Sequence, residues 1–408
     1  MLLLNKMNKK FSLFIIIVVL LLFSFFYFLK TKELSQNLKT TNNDEVINLG
    51  DCDNIKNDES KTKKCLADLI RSSVENKGMA YGMKLFVKLY ENPVFAANCH
   101  DYSHIIGEAA YFDFKKNNKI DISPAMNYCY FGFFHGFMEP LFAKGDDIQV
   151  ARDLCTYMDK QIDIPYHNTY GACLHAIGHG VVDGSNRKAW GNAQAIADPG
   201  LKICDQVAIG TEDAFRCYSG VYNSISLAIL QKKYGLTENI DDPLEFCKKQ
   251  KDKYKRACYS DAGATRILLF VSHDLRKAAK IFETIKEDEY AFTAMFDTVQ
   301  LEADEYMKHK AYSFEEMVNI CRSIQDRMRI ACIKGWGSGL AEFGKPNEEH
   351  AQASLFCGNS LLTEEEKRSC FVNVFGFLRA TKKPETFIEI CGKIGKIAGD
   401  KWKDLCLQ

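Results

Sequence analysis

Along most of the chain, apolar positions recur three and four residues apart between polar ones. Met83-Lys-Leu-Phe-Val-Lys-Leu-Tyr90 and Phe314-Glu-Glu-Met-Val-Asn-Ile-Cys321 both show this spacing, which is the period of one helix face. Strand-like alternation is scarce, and the chain has only 8 prolines. Helix-start chemistry agrees with the period. Ser123-Pro124 and Asp242-Pro243 read as an N-cap followed by a first-turn proline, and Thr363-Glu-Glu-Glu366 reads as a capping box. The pattern predicts an all-α chain.

Two stretches near the start depart from it. Residues 11–29 carry no charge and are rich in Ile, Leu, Val and Phe. At about 1.5 Å per residue, such a helix spans the roughly 30 Å hydrocarbon layer of a membrane. Lys6, Lys9 and Lys10 precede the run, and Lys30 and Lys32 follow it. Its length and its aromatic end, with no small-x-small cleavage site, predict an uncleaved transmembrane signal anchor with residues 1–10 in the cytoplasm. A cleaved signal peptide is the competing reading. Residues 30–50 are polar, without an apolar period, and read as a flexible stalk. The folded, exported part then runs over 51–408.

Cysteine spacing gives that part an internal order. There are 16 cysteines and no CxxC. In sequence order they predict the disulfides Cys52–Cys65, Cys99–Cys129, Cys155–Cys173, Cys204–Cys217, Cys247–Cys258, Cys321–Cys332, Cys357–Cys370 and Cys391–Cys406. Each pair brackets a helix, a polar turn and the start of the next helix. Closing such a loop removes about 3 kcal/mol of unfolded-state entropy. The second members at 129, 173, 217, 258, 332 and 370 are followed by similar residues and step by 44, 44, 41, 74 and 38. The long step reads as two repeats, one of them cysteine-free around Tyr290 to Asp304. The expected architecture is an array of disulfide-stapled helical hairpins, an α-solenoid or superhelix with a period of about 40 residues. Small residues recur three places after the cysteine (Gly132, Ala176, Gly220, Gly335), which predicts close helix contact there. A disulfide ladder behind a membrane anchor places the bulk of the chain outside the cytoplasm.

Charge removes one class of function. Lysine plus arginine number 53 and aspartate plus glutamate 53, so no basic excess exists to bind nucleic acid. The histidines suggest another. Between 99 and 183 three segments share a cysteine, a histidine and a carboxylate four residues after that histidine: Cys99-His100…His104…Glu108, Cys129…His135…Glu139 and Cys173…His175…His179…Asp183. Residues four apart stack on one helix face. The reading is a site in which His100, His104, His135, His175 and His179 hold a divalent transition metal (Zn, Fe, Mn or Cu), with Glu108, Glu139 and Asp183 orienting or bridging. No glutamate follows the first histidine of either HxxxH pair, so the zincin motif is absent. His167, His273, His309 and His350 stand apart and read as surface or turn residues.

Two functions compete. One is a metal-dependent enzyme, a hydrolase or oxidoreductase. The other is a non-enzymatic repeat module with structural histidines, presenting its surface to a protein or peptide partner.

Overall fold

The computed structural model describes residues 52, 55, 58–145, 147–162, 168–182, 185–309 and 311–408. The apolar run at 11–29, the stalk at 30–50 and Asp183 lie outside them. Among the described residues no helix is long and apolar enough to cross a membrane.

The fold is all-helical, with no strand among the described residues. The helices of eight residues or more are α1 (Glu59–Lys77), α2 (Met79–Leu89), α3 (Cys99–Asn117), α4 (Gly132–Ala143), α5 (Ile148–Ile162), α6 (Asn168–Gly180), α7 (Ala193–Val207), α8 (Thr211–Leu230), α9 (Asp252–Asp261), α10 (Leu275–Phe282), α11 (Asp288–His309), α12 (Phe314–Arg322), α13 (Asp326–Glu342), α14 (His350–Cys357), α15 (Glu364–Thr381), α16 (Pro384–Ala398) and α17 (Asp400–Leu407). The capping box forms as expected. Thr363 Oγ1 accepts from the Glu366 N–H at 3.2 Å, and Glu366 Oε2 accepts from the Thr363 N–H at 2.8 Å. Ser313 and Glu316 close a second box ahead of α12. Asp242 does not cap a helix. Its carboxylate accepts from Lys248 Nζ at 2.7 Å, and the next helical turn begins only at Glu245.

Disulfides staple consecutive helices. Cys155–Cys173 joins α5 to α6, Cys204–Cys217 joins α7 to α8, and Cys321–Cys332 joins α12 to α13. Cys357–Cys370 joins α14 to α15, and Cys391–Cys406 joins α16 to α17. Cys52–Cys65 and Cys247–Cys258 are also bonded. The expected Cys99–Cys129 disulfide is absent: both residues are free thiols. Cys99 opens α3, whereas Cys129 sits in a left-handed turn at φ 56°. The Tyr90 hydroxyl approaches both sulfurs, at 3.0 Å from Cys99 Sγ and 2.8 Å from Cys129 Sγ. These bonded pairs suggest an oxidising, extracytoplasmic environment.

Helices α3, α4, α6, α8, α9, α11, α13 and α15 pack each against the next, with α5, α7, α10, α12 and α14 behind their partners. Along this row the glycines among the small residues expected after the cysteines sit at close contacts: a Cβ on Gly132 would overlap the Ser103 hydroxyl and one on Gly335 would come to 2.6 Å from the Phe296 carbonyl. Glycines outside those positions make close contacts too. A Cβ on Gly136 of α4 would overlap the His104 carbonyl of α3, and one on Gly107 of α3 would overlap the Phe133 carbonyl of α4. Gly178 of α6 and Gly220 of α8 meet the Cys217 and His175 carbonyls in the same reciprocal way. Backbones that touch through glycine bring the side chains beside those glycines together. Those side chains are His104, His135, His175 and His179. The row also curls back on itself, since the Tyr130 ring lies 5.2 Å from that of Phe343.

Candidate metal centre

The histidine rows are built as the spacing predicts. On α3, His100 and His104 stack one turn apart with their Nε2 atoms 3.1 Å from each other. His135 on α4 completes a group of three whose ligand nitrogens all lie within 4.8 Å of one another. A tetrahedral ion with bonds of about 2.0–2.1 Å requires nitrogens about 3.3 Å apart. The α3 pair already meets that spacing, and the His135 nitrogen lies within 4.8 Å of both. His175 and His179 on α6 flank this group. Their rings stack on His135 at centroid distances of 5.1 and 4.9 Å and interplanar angles of 19° and 14°. Five imidazoles from three helices therefore converge, with His135 at the hub.

Backbone geometry orients the first of them. Cys129, Tyr130 and Phe131 are three successive non-glycine residues with φ of 56°, 56° and 57°. Left-handed backbone is sterically costly for such residues and persists where surrounding structure enforces it. This turn brings the Cys129 carbonyl to 2.9 Å from His100 Nδ1. A carbonyl only accepts, so Nδ1 carries the proton and the Nε2 lone pair faces the other imidazoles. That is the tautomer a metal ligand requires.

Burial disfavours a proton on His100, His104, His135 and His175. Desolvation pulls the His100 pKa below its ordinary value and that of His135 well below, with the neighbouring imidazoles adding to the shift at His135. Desolvation, then the adjacent histidines, brings His104 and His175 down to about 3. Imidazoles that cannot hold a proton at neutral pH are poised to bind a metal ion.

The carboxylates divide. Glu139 Oε1 comes to 3.3 Å from His179 Nδ1. The alignment leaves that Nδ1 without a hydrogen bond, so the contact is one of charge and proximity. Burial raises the Glu139 pKa, but His179 and His104 outweigh it and the net shift is downward. Glu108 is not brought to the cluster; its Oε2 lies 3.4 Å from Arg71 Nη2 on α1. Of the histidines read as surface or turn residues, His273 does lie in a turn, its Nδ1 2.7 Å from the buried Glu302, whereas His350 is buried.

One part of the site escaped the sequence reading. Asp261 at the end of α9, Asp297 on α11 and Glu342 at the end of α13 all act electrostatically on Tyr130, whose ring lies 5.9 Å from that of His100. Arg216 of α8 acts electrostatically on all three and on His175. A signal existed: Glu342 falls ten residues after Cys332, as Glu139 does after Cys129 and Asp183 after Cys173. Asp261 replaces the small residue expected three places after Cys258.

A cavity of about 590 Å³ opens onto His100 and is also lined by Cys99, Tyr130, Asp304, Glu342 and Phe343. A space of this size admits a small molecule to the edge of the cluster. Comparison with protein-family models, with curated proteins and with solved structures returned no match, so the chemistry of this site is argued from its geometry.

Proposed function

We propose that this chain is a membrane-anchored, extracytoplasmic metal-binding protein built from stapled helical repeats of about 40 residues. In this reading residues 11–29 span the membrane. His100, His104 and His135 ligate a divalent transition metal, Zn, Fe, Mn or Cu. His175 and His179 supply further imidazole contacts, and Glu139 steers His179. The observation that carries the reading is the convergence of the three nitrogen ligands within 4.8 Å on neighbouring helices. The neutral state that burial imposes on the imidazoles supports it.

An open coordination position would make such an ion a Lewis acid or a source of hydroxide, and so a metal-dependent hydrolase or oxidoreductase. The cavity reaching His100 favours this over a closed storage or structural site. Elemental analysis of purified protein, before and after dialysis against zinc-containing buffer, is the test. Wild type should retain a stoichiometric divalent metal. His135→Ala should abolish retention, and Glu139→Gln should weaken affinity by roughly 10–100-fold. A wild-type protein that neither carries nor takes up metal would leave the stacked imidazoles as a structural network.

A further inference from the structure

The carboxylates that act on Tyr130, namely Asp261, Asp297 and Glu342, are unlike the other acids of the molecule. Most acidic side chains with a close basic partner are at the surface, as in Lys88–Glu91 and Lys248–Asp242. Asp261 is only 7% exposed, and its Oδ2 has no hydrogen-bond partner. Glu342 accepts a hydrogen bond from the neutral amide of Gln300. Among the described residues no cation lies within ion-pair distance of either. Asp297 is satisfied on one side by the Ser260 hydroxyl. Arg216 is the one cationic side chain that acts on all three, and a single guanidinium cannot neutralise three carboxylates. Burial accordingly pushes the Glu342 pKa up to about 8 and that of Asp297 up to about 6, with Arg216, Gln300 and Ser260 only partly countering it.

Four lysines line the cavity and none is within ion-pair distance of Glu342: Lys345 is held by Glu348 at 3.0 Å, and Lys383 is exposed. Lys308 is held by Asp304 at 2.6 Å and Lys382 by Glu349 at 2.5 Å. The acids also do not make a bare metal site. Among the described residues the imidazole group alone brings three ligand atoms within 4.8 Å. Carboxylates spread more widely than that suit a larger cation with several N–H donors. Two aromatic rings stand at the same place. Tyr130 lies 5.9 Å from His100 on one side and 5.2 Å from Phe343 on the other. The strained left-handed turn holds Tyr130 there, between the imidazoles and the acids. An ammonium group beside such rings gains from their negative faces as well as from the carboxylates.

We propose that the cavity between His100 and Glu342 binds a protonated organic amine, its ammonium group directed past Tyr130 and Phe343 to Glu342. The rest of the molecule then lies in the cavity against the His100 edge of the imidazole cluster. This site stands whether or not the imidazoles hold a metal. If they do, the amine-bearing compound is the substrate class presented to the ion.

Calorimetric titration of the full-length protein in detergent tests it, with three probes of equal length: n-butylammonium chloride, 1-butanol and sodium butyrate. Each is run on protein as purified and after chelation. Butylammonium should bind at millimolar concentration or below and at least 10-fold more tightly than the other two. Glu342→Gln should remove that preference without altering metal content. Phe343→Leu, which keeps the carboxylates, should weaken the amine by a smaller factor. Equal binding of amine and alcohol would overturn the proposal, as would tighter binding of butyrate or no amine binding at all. Protein that carries no metal as purified and takes up none from zinc-containing buffer, yet still binds the amine, would sink the metal reading alone, so the two ideas fail separately.

Discussion

Gly136 offers the sharpest test of how the cluster is assembled. A Cβ at this position would overlap the His104 carbonyl oxygen and lie 2.6 Å from its carbonyl carbon and Cα. Carbon atoms in ordinary contact are about 3.5–4.0 Å apart, so Gly136→Ala must push α3 and α4 apart by about 1 Å. The opposing atoms are backbone and cannot swing aside. Overpacking of this kind costs about 1–3 kcal/mol, and alanine returns about 1 kcal/mol in helix propensity. The expected net loss is up to about 2 kcal/mol. Gly376, in the interior of α15, supplies the control, because a Cβ there meets nothing within 4 Å. Gly376→Ala should gain up to about 1 kcal/mol from propensity alone. The two substitutions are chemically identical and should move the guanidinium unfolding midpoint in opposite directions. His104 and His135 lie on the two helices that separate, so Gly136→Ala should also weaken zinc binding while Gly376→Ala leaves it unchanged. Midpoints shifted the same way, or unaltered zinc affinity in Gly136→Ala, would refute the close-contact account.

Further outcomes concern pH and sulfur. The Glu342 pKa is raised from 4.5 to about 8, so the folded state holds a proton that the unfolded state releases near 4.5. Its contribution to stability is fully present below pH 4.5 and is lost as pH rises through 8. Glu342→Gln should therefore gain stability relative to wild type between those limits, and a pH-independent difference would contradict the buried state of this group. In chelated protein, His104 and His175, brought down to about 3, act in the opposite sense. The unfolded state takes up protons near 6.5 that the fold excludes, so stability should fall as pH drops from about 6.5 toward 3. His104→Gln should flatten that slope in denaturant titrations. Alkylation of denatured, unreduced protein should label Cys99 and Cys129 alone, and mass spectrometry that finds neither labelled would show that they had paired.

Much of the scaffold was legible because its determinants are local. Helical period, the Thr363 and Ser123 caps and the small residues after the cysteines act within a few residues of themselves, and the structure realises them. The bonded cysteine pairs were readable for the same reason, since each joins neighbouring helices of one hairpin. Cys99 and Cys129 failed that logic. Thirty residues and a left-handed turn lie between them, and no local pattern fixes where the second sulfur points.

The sequence by itself determined that His100 and His104, and likewise His175 and His179, share a helix face, because the α-helix repeats every 3.6 residues. Only the tertiary structure decided that His135 would stand between the two pairs and that Glu108 would turn to Arg71. It alone brought Asp261, Asp297 and Glu342 within electrostatic reach of Tyr130. Each of those outcomes depends on the angles at which glycine-lined helices cross and on the curl that returns Phe343 to Tyr130. Such angles accumulate over many helix contacts, and no single stretch of chain encodes their sum.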